Sequence, residues 1–185
     1  MSIVPVTPPP SVYDLQREWL TNLGRTERVT HRGVVERLLD ELSMVPPTPF
    51  YDLLALQPWQ LIKKRRLNRY YPALQVFVWQ KALETTHPLY TARIIWLFRR
   101  IAPIQRPADR HHLAAMDQQL ALFALLTDNV IGDGFTSIAL YVVSRVLGGW
   151  HKNPTQVILA VQLADQLDQW FETRMAQFAQ MDLLP

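Results

Sequence analysis

Cysteine is absent from the 185-residue chain, and so are the motifs by which common catalytic sites are recognised. Without thiols the protein forms no disulfide, thiolate–zinc site or iron–sulfur cluster, and it has no cysteine nucleophile. The chain contains no P-loop, no dinucleotide-binding GxGxxG, no GxSxG nucleophile elbow and no HExxH metalloprotease helix. We therefore predict that the protein is not an enzyme and carries no cofactor.

The sequence also lacks a recognisable metal-binding pattern. His111 and His112 are adjacent, so on a helix their side chains point about 100° apart and are poorly placed to share one ion. Asp128 and Asp133 lie in the stretch TDNVIGDG, which lacks the alternating acids and the terminal glutamate of a calcium-binding EF-hand loop. The expected role of this stretch is to end one helix and turn the chain into the next.

Long apolar runs are missing as well. After the first ten residues, the longest uncharged run is Asn153–Ala164, which is shorter than the roughly 20 residues that a membrane-spanning helix needs. The start, MSIVPVTPPP, has neither the basic nor the apolar region of a signal peptide. We expect a cytoplasmic protein with no membrane partner.

Acidic residues are nearly absent from the middle of the chain. Residues 57–107 contain ten lysines and arginines but a single acid, Glu84, whereas the residues on either side hold more acids than bases. A basic middle between mildly acidic flanks favours one face that binds a polyanion.

This positive charge is densest at Leu61–Tyr71, LIKKRRLNRYY, which we name the basic segment and which holds five of the nineteen lysines and arginines. The cations can neutralise phosphates and release counterions, and the tyrosines can hydrogen-bond phosphate oxygens. The predicted nucleic-acid-binding residues are Lys63, Lys64, Arg65, Arg66, Arg69, Tyr70 and Tyr71. The alternative interpretation is a solvated basic turn.

Two further expectations concern the surroundings of the basic segment. Tyrosine favours strands, so a hairpin or small β-wing near residues 64–71, fixed by Tyr70 and Tyr71, is consistent with this stretch. Cations downstream could widen the same patch; these are Lys81, Arg93, Arg99 and Arg100.

Elsewhere the apolar spacing predicts an all-α, multi-helix protein. A loose proline-rich arm (1–10) precedes an N-terminal helical, DNA-binding region (11–106) and a C-terminal helical bundle (107–185) for dimerisation or ligand binding. Caps, prolines and glycines place the predicted helices at 11–23, 30–44, 50–56, 58–64, 72–84, 88–101, 108–127, 136–147 and 154–180.

The last predicted helix, Pro154–Gln180, has a long apolar side. An exposed apolar side on a helix favours pairing with another helix, so we expect a homodimer. The residues predicted to form its interface are Leu163, Leu167, Trp170 and Phe171.

Residues 59–101 resemble winged-helix DNA-binding proteins of the mercury-resistance-regulator (MerR) type, and a related uncharacterised bacterial family of helical proteins. The resemblance follows Leu61–Ile62, a basic loop at Lys63–Asn68, the step Arg69–Tyr70, and apolar helices opening at Pro72 and Pro88. It implies a dimeric DNA-binding regulator whose C-terminal helices pair or sense a ligand. The sequence departs from the family at 46–56, where a proline-rich, apolar stretch replaces a Thr- or Ser-led recognition helix.

The function favoured by these observations is a DNA-binding transcriptional regulator or nucleoid-associated factor that contacts double-stranded DNA through phosphates. A second reading is a helical protein-interaction module (an immunity, adaptor or phage-accessory protein) whose basic segment meets an acidic partner. A third is a small-molecule-binding bundle with an apolar cavity lined by Trp96, Phe123 and Tyr141. The sequence does not decide whether such a regulator has a protein or a small molecule as its effector.

Overall fold

In a computed structural model of the protein, the described residues are 27–128, 135–148 and 154–184. Within them the chain forms seven α-helices, one 3₁₀ turn and two four-residue strands, which confirms the all-α, multi-helix prediction. The elements are β1 Glu27–Thr30, α1 His31–Glu41, α2 Thr48–Leu53, α3 Leu61–Thr86, α4 Pro88–Gln105, the 3₁₀ turn Pro107–Asp109, α5 Arg110–Asp128, α6 Thr136–Leu147, α7 Pro154–Ala179 and β2 Met181–Leu184. The predicted arm at 1–10, the helix at 11–23 and the turn at 129–134 lie outside these ranges.

Several helix ends follow the local signals in the sequence. Thr30 caps α1, and its hydroxyl accepts a hydrogen bond from the Gly33 amide at 3.1 Å. Pro88 and Pro154 each occupy the first position of a helix, where the missing proline N–H has no intrahelical partner to lose. Gly148 closes α6 in the left-handed conformation, with a φ of 103°, which glycine adopts without strain.

The basic segment is helical, so the expected β-wing at 64–71 is wrong. One continuous helix, α3, replaces the predicted helix at 58–64, the wing and the helix starting at Pro72. Leu67 and Tyr71 are buried at helical spacing, and the burial continues beyond Pro72 as far as Trp79. Tertiary packing of this side therefore outweighs both the strand preference of tyrosine and the cost of a proline inside a helix, about 3 kcal/mol.

Helix α3 is also the centre of the core, since it contacts α4, α5, α6 and α7. The Phe77 ring meets Phe123 of α5 and Phe135 before α6 edge-on, with centroid distances of 5.7 and 6.2 Å. The described parts of the predicted regions 11–106 and 107–185 thus share one hydrophobic core.

The two strands form a parallel pair that joins the two ends of the described chain. Glu27 lies opposite Met181 and Thr30 lies opposite Leu184. The Met181 carbonyl is 3.1 Å from Nε2 of His87, which stands between α3 and α4. These strands were not predicted from the sequence, because each is four residues long and its partner is distant in the chain.

No helix in the described ranges is both long and apolar enough to cross a lipid bilayer.

His31, the first residue of α1, is buried, and neither of its ring nitrogens has a hydrogen-bond partner among the described residues. Its ring lies 5.0 Å from that of Tyr90. Burial lowers the pKa of His31, and the positive charge of Arg93 lowers it further. The folded state therefore favours the neutral ring, whereas the unfolded chain takes up a proton near the ordinary histidine pKa of about 6.5.

We expect His31→Phe to flatten the pH dependence of stability. In the native protein the free energy of unfolding falls as the pH drops below about 6.5, because protonation favours the unfolded chain. Phenylalanine retains the contact with Tyr90 and removes two unpaired nitrogens, so at acidic pH the variant should be more stable by about 1 kcal/mol. Urea unfolding at pH 5 and pH 8 measures this; an equal pH dependence in both proteins would contradict it. His111→Phe, on the exposed surface of α5, is the control.

Candidate nucleic-acid interface

The basic segment occupies the first three turns of α3, where one side of the helix is exposed. Ile62, Arg65, Arg66 and Arg69 follow the spacing i, i+3, i+4, i+7, so they share one face, and all four are exposed. The opposite side carries the buried Leu67 and anchors this end of α3 to the core. We name Arg65, Arg66 and Arg69 the arginine face.

The arginine face carries charge that the described part of the chain does not neutralise. No carboxylate there lies within 4.0 Å of Arg65, Arg66 or Arg69, although many other cations are paired. The face also lies near the N-terminus of α3, whose N-cap residue Gln60 makes no side-chain capping bond. The helix dipole adds positive potential at this end.

Arg145 extends this positive surface, and sequence reasoning missed it. It is exposed on the last turn of α6, and its guanidinium lies 5.3 Å from the centre of the Tyr141 ring. Arg66 reaches this helix end: its Nη1 is 3.7 Å from the position that a Cβ on Gly148 would occupy. The basic last turn of α6 was a visible signal, but only the fold places it beside α3.

Tyr70 sits between the two helices rather than on the exposed surface. Its ring is half-buried and meets Tyr141 edge-on at 5.9 Å. Burial raises the pKa of Tyr70, and the interaction with Tyr141 raises it further, against a smaller opposing effect of Arg145 and Arg69. Tyr70 therefore stays protonated and forms the edge of the site.

Tyr71 is a core residue, so the prediction that it contacts nucleic acid is wrong. Its ring lies edge-on to Phe50 at 5.0 Å and to Trp170 at 5.9 Å. Burial raises the pKa of its hydroxyl. One residue along a helix turns the side chain by about 100°, which separates Tyr71 from the exposed face.

Lys63 and Lys64 flank the arginine face and are half-buried. The Lys64 ammonium lies 4.8 Å from the centre of the Tyr51 ring, and the Tyr51 hydroxyl donates a hydrogen bond to Oδ1 of Asn68 at 2.9 Å. These contacts brace α2 against α3. Lys64 thus has a structural role besides any role in binding.

The downstream cations that were expected to widen the patch have other surroundings. Lys81 lies on α3 about 27 Å along the axis from Lys63 and pairs with Glu84 at 3.0 Å. On α4, Arg99 pairs with Asp117 at 3.1 Å, and Arg100 stacks over Trp96 at 4.8 Å. Lys81 and Arg99 are thus neutralised by neighbouring carboxylates, unlike the arginine face.

The four residues predicted to form a dimer interface pack inside a single chain. Leu163 and Leu167 are fully buried. Trp170 stacks on Phe50 at 5.6 Å, and Phe171 lies 5.8 Å from Phe135. Leu163 and Leu167 therefore belong to the core, whereas Trp170 and Phe171 are partly buried against it. The homodimer through these residues stays a prediction.

The predicted apolar cavity is not formed by the expected residues. Trp96 is exposed, Phe123 is fully buried against Phe77, and Tyr141 lies against Tyr70. A different cavity of about 350 Å³ lies between α1, α3 and α7. Its lining includes Trp79, Trp170, Arg174 and Glu41. Across the described ranges, no three histidine, aspartate or glutamate residues are grouped closely enough to hold a metal ion.

The resemblance of residues 59–101 to MerR-type proteins stays a prediction. The basic loop that it requires at Lys63–Asn68 is part of a helix. No family model, curated protein or solved structure matches this chain.

Proposed function

We propose that the protein is a DNA-binding transcriptional regulator or nucleoid-associated factor that contacts double-stranded DNA through the start of α3. The observation that carries the proposal is the arginine face: three exposed arginines on one side of a helix, unpaired among the described residues. An arginine that is already ion-paired would have to give up its carboxylate before it could bind a phosphate. These three arginines can bind phosphates without breaking an ion pair.

As a helix, the start of α3 matches the dimensions of a DNA duplex. An α-helix with its side chains is about 10–12 Å wide, and the major groove of B-DNA is about 12 Å wide. Arginines spaced i, i+1, i+4 along the exposed face can contact phosphates on the groove edges, or guanine if the helix enters the groove. Arg145 of α6 lies to one side, where it would meet the backbone beside the groove.

Replacing Arg65, Arg66 and Arg69 with alanine should weaken binding to duplex DNA by about 100-fold at low salt. The slope of log K against log salt should become shallower by about one for each arginine that contacts a phosphate. Fluorescence anisotropy with a labelled random-sequence duplex, repeated over a salt series, measures both quantities.

The matched control replaces Arg32, Arg37 and Arg99 with alanine. Each is exposed, and each is ion-paired, to Glu36, Glu27 and Asp117 respectively. The control removes the same total charge from elsewhere on the surface and should keep the native salt slope. An unchanged slope in the Arg65/Arg66/Arg69 variant, or an equal loss in the control, would refute the proposed site.

A helical protein-interaction module is the second candidate, and exposed apolar side chains beside the arginine face favour it. Trp59, Leu61 and Ile62 are 74%, 64% and 69% exposed. Apolar side chains exposed in a cluster are typical of protein interfaces. This candidate predicts tight, salt-insensitive binding of one protein with an acidic surface, whereas the first predicts salt-steep binding to any duplex.

A further inference from the structure

Helix α7 carries an exposed face whose chemistry is opposite to that of the arginine face. Its first turns expose Val157, Ile158 and Val161, which are 51%, 58% and 47% exposed. Farther along the helix the same side is acidic and exposed; we name Asp165, Asp168 and Glu172 the acidic face. The other side of α7 is buried in the core.

The acidic face is also unpaired in the described part of the chain. No lysine or arginine there lies within 4.0 Å of its three carboxylates. The pKa of Asp168 is raised by burial and then by the negative charges of Asp165 and Glu172. These carboxylates repel one another, so a cationic surface laid against them would be favourable.

The two faces match in spacing as well as in charge. Ile62, Arg66 and Arg69 follow the spacing i, i+4, i+7, and so do Val161, Asp165 and Asp168. If α3 of one copy lies parallel to α7 of another, each residue of the first set meets its counterpart in the second. An antiparallel arrangement would place arginine against valine and isoleucine against aspartate. The complementarity is therefore directional.

The fold places the two faces at the same level within one chain. Helices α3 and α7 run in the same direction, because Tyr71 contacts Trp170 and, farther along both helices, Arg174 lies over Trp79. The same number of residues separates Tyr71 from Trp170 as separates Ile62 from Val161. At about 100° per residue, both faces lie roughly 160–220° around their helices from Tyr71 and Trp170, which meet each other, so the two faces point to different sides of the molecule. A two-fold axis cannot bring both pairs of faces together, and the contact between copies is head to tail.

We propose that copies of this chain associate head to tail through these surfaces, with the arginine face of one copy on the acidic face of the next and Ile62 against Val161. This association uses exposed residues, in contrast to the buried Leu163 and Leu167. The association does not depend on the proposed DNA binding. One consequence does rest on that function: pairing covers the arginine face, so duplex DNA and the second copy compete.

Charge reversal tests the pairing. Arg66→Glu with Arg69→Glu, and separately Asp165→Lys with Asp168→Lys, should each weaken self-association by at least about tenfold, because like charges would then face each other. The chain carrying all four changes should have a self-association constant within a few-fold of that of the native protein. Sedimentation velocity at low salt over a concentration series measures the association, and circular dichroism confirms that each variant is folded.

The outcomes separate this inference from the proposed function. Two results would overturn the pairing, whatever the DNA result. One is a native chain that stays monomeric at every concentration. The other is a variant with all four substitutions that is folded but does not recover association. The Asp165→Lys/Asp168→Lys variant keeps the arginine face and should bind duplex DNA at least as well as the native chain. The variant with all four substitutions should self-associate but should not bind DNA. If its association recovers, but neither the native chain nor any variant binds DNA, the pairing stands and only the DNA proposal fails.

Discussion

Leu167→Asp is expected to abolish the cooperative unfolding transition rather than to yield a folded monomer. Leu167 is fully buried against the core in a single chain. An unpaired carboxylate in that position loses its hydration and also the packing of the leucine, a penalty of at least about 4 kcal/mol. A domain of ordinary stability, about 5–15 kcal/mol, has little left after such a loss.

Thermal melting followed by circular dichroism, together with gel filtration, measures the effect of Leu167→Asp. The control is Val161→Asp on the same helix, whose side chain is 47% exposed. Val161→Asp should fold normally and weaken self-association, because Val161 belongs to the proposed pairing surface and not to the core. A Leu167→Asp chain that melts cooperatively as a monomer would instead place Leu167 in a dimer interface.

Phe77→Ala should lower the free energy of unfolding by about 3–5 kcal/mol. The Phe77 ring is 1% exposed and joins α3 to Phe123 of α5 and to Phe135 before α6. Its removal leaves a cavity where three parts of the fold meet. The same loss should lower the melting temperature by on the order of 10 °C.

Urea unfolding of Phe77→Ala, with native protein measured in parallel, tests this value. Leu89→Ala is the control, since Leu89 is 88% exposed and its truncation should change stability by no more than about 0.5 kcal/mol. Similar losses in the two variants would show that Phe77 is not at the centre of the core.

Helix ends were predictable wherever the signal was local. Thr30 caps α1, prolines begin α4 and α7, and Gly148 ends α6, because each acts on the backbone of its own turn. The same reasoning failed at Pro72, where a proline that usually begins a helix lies inside one. Local propensity there is outweighed by the burial of residues on both sides of it.

The residues of the candidate site were also predictable only where the signal was local. The five cations of the basic segment were evident from composition, and Arg65, Arg66 and Arg69 do share an exposed face. Their neighbours were not predictable: Tyr71 is buried, Arg145 comes from a helix distant in sequence, and Lys81, Arg99 and Arg100 contact Glu84, Asp117 and Trp96. A helix turns each successive side chain by about 100°, so neighbours in sequence separate while distant residues meet.

The helical class, most of the helix starts and the concentration of positive charge at residues 63–69 follow from the sequence, because spacing, capping and charge are properties of short stretches. Which apolar side chains form the core depends on the tertiary packing, so that Leu163 and Leu167 are buried within one chain while Ile62 and Val161 stay exposed. It also decided that the cations of the basic segment lie on a helix rather than a wing. Burial depends on which faces of distant helices meet, and that arrangement is a property of the whole chain.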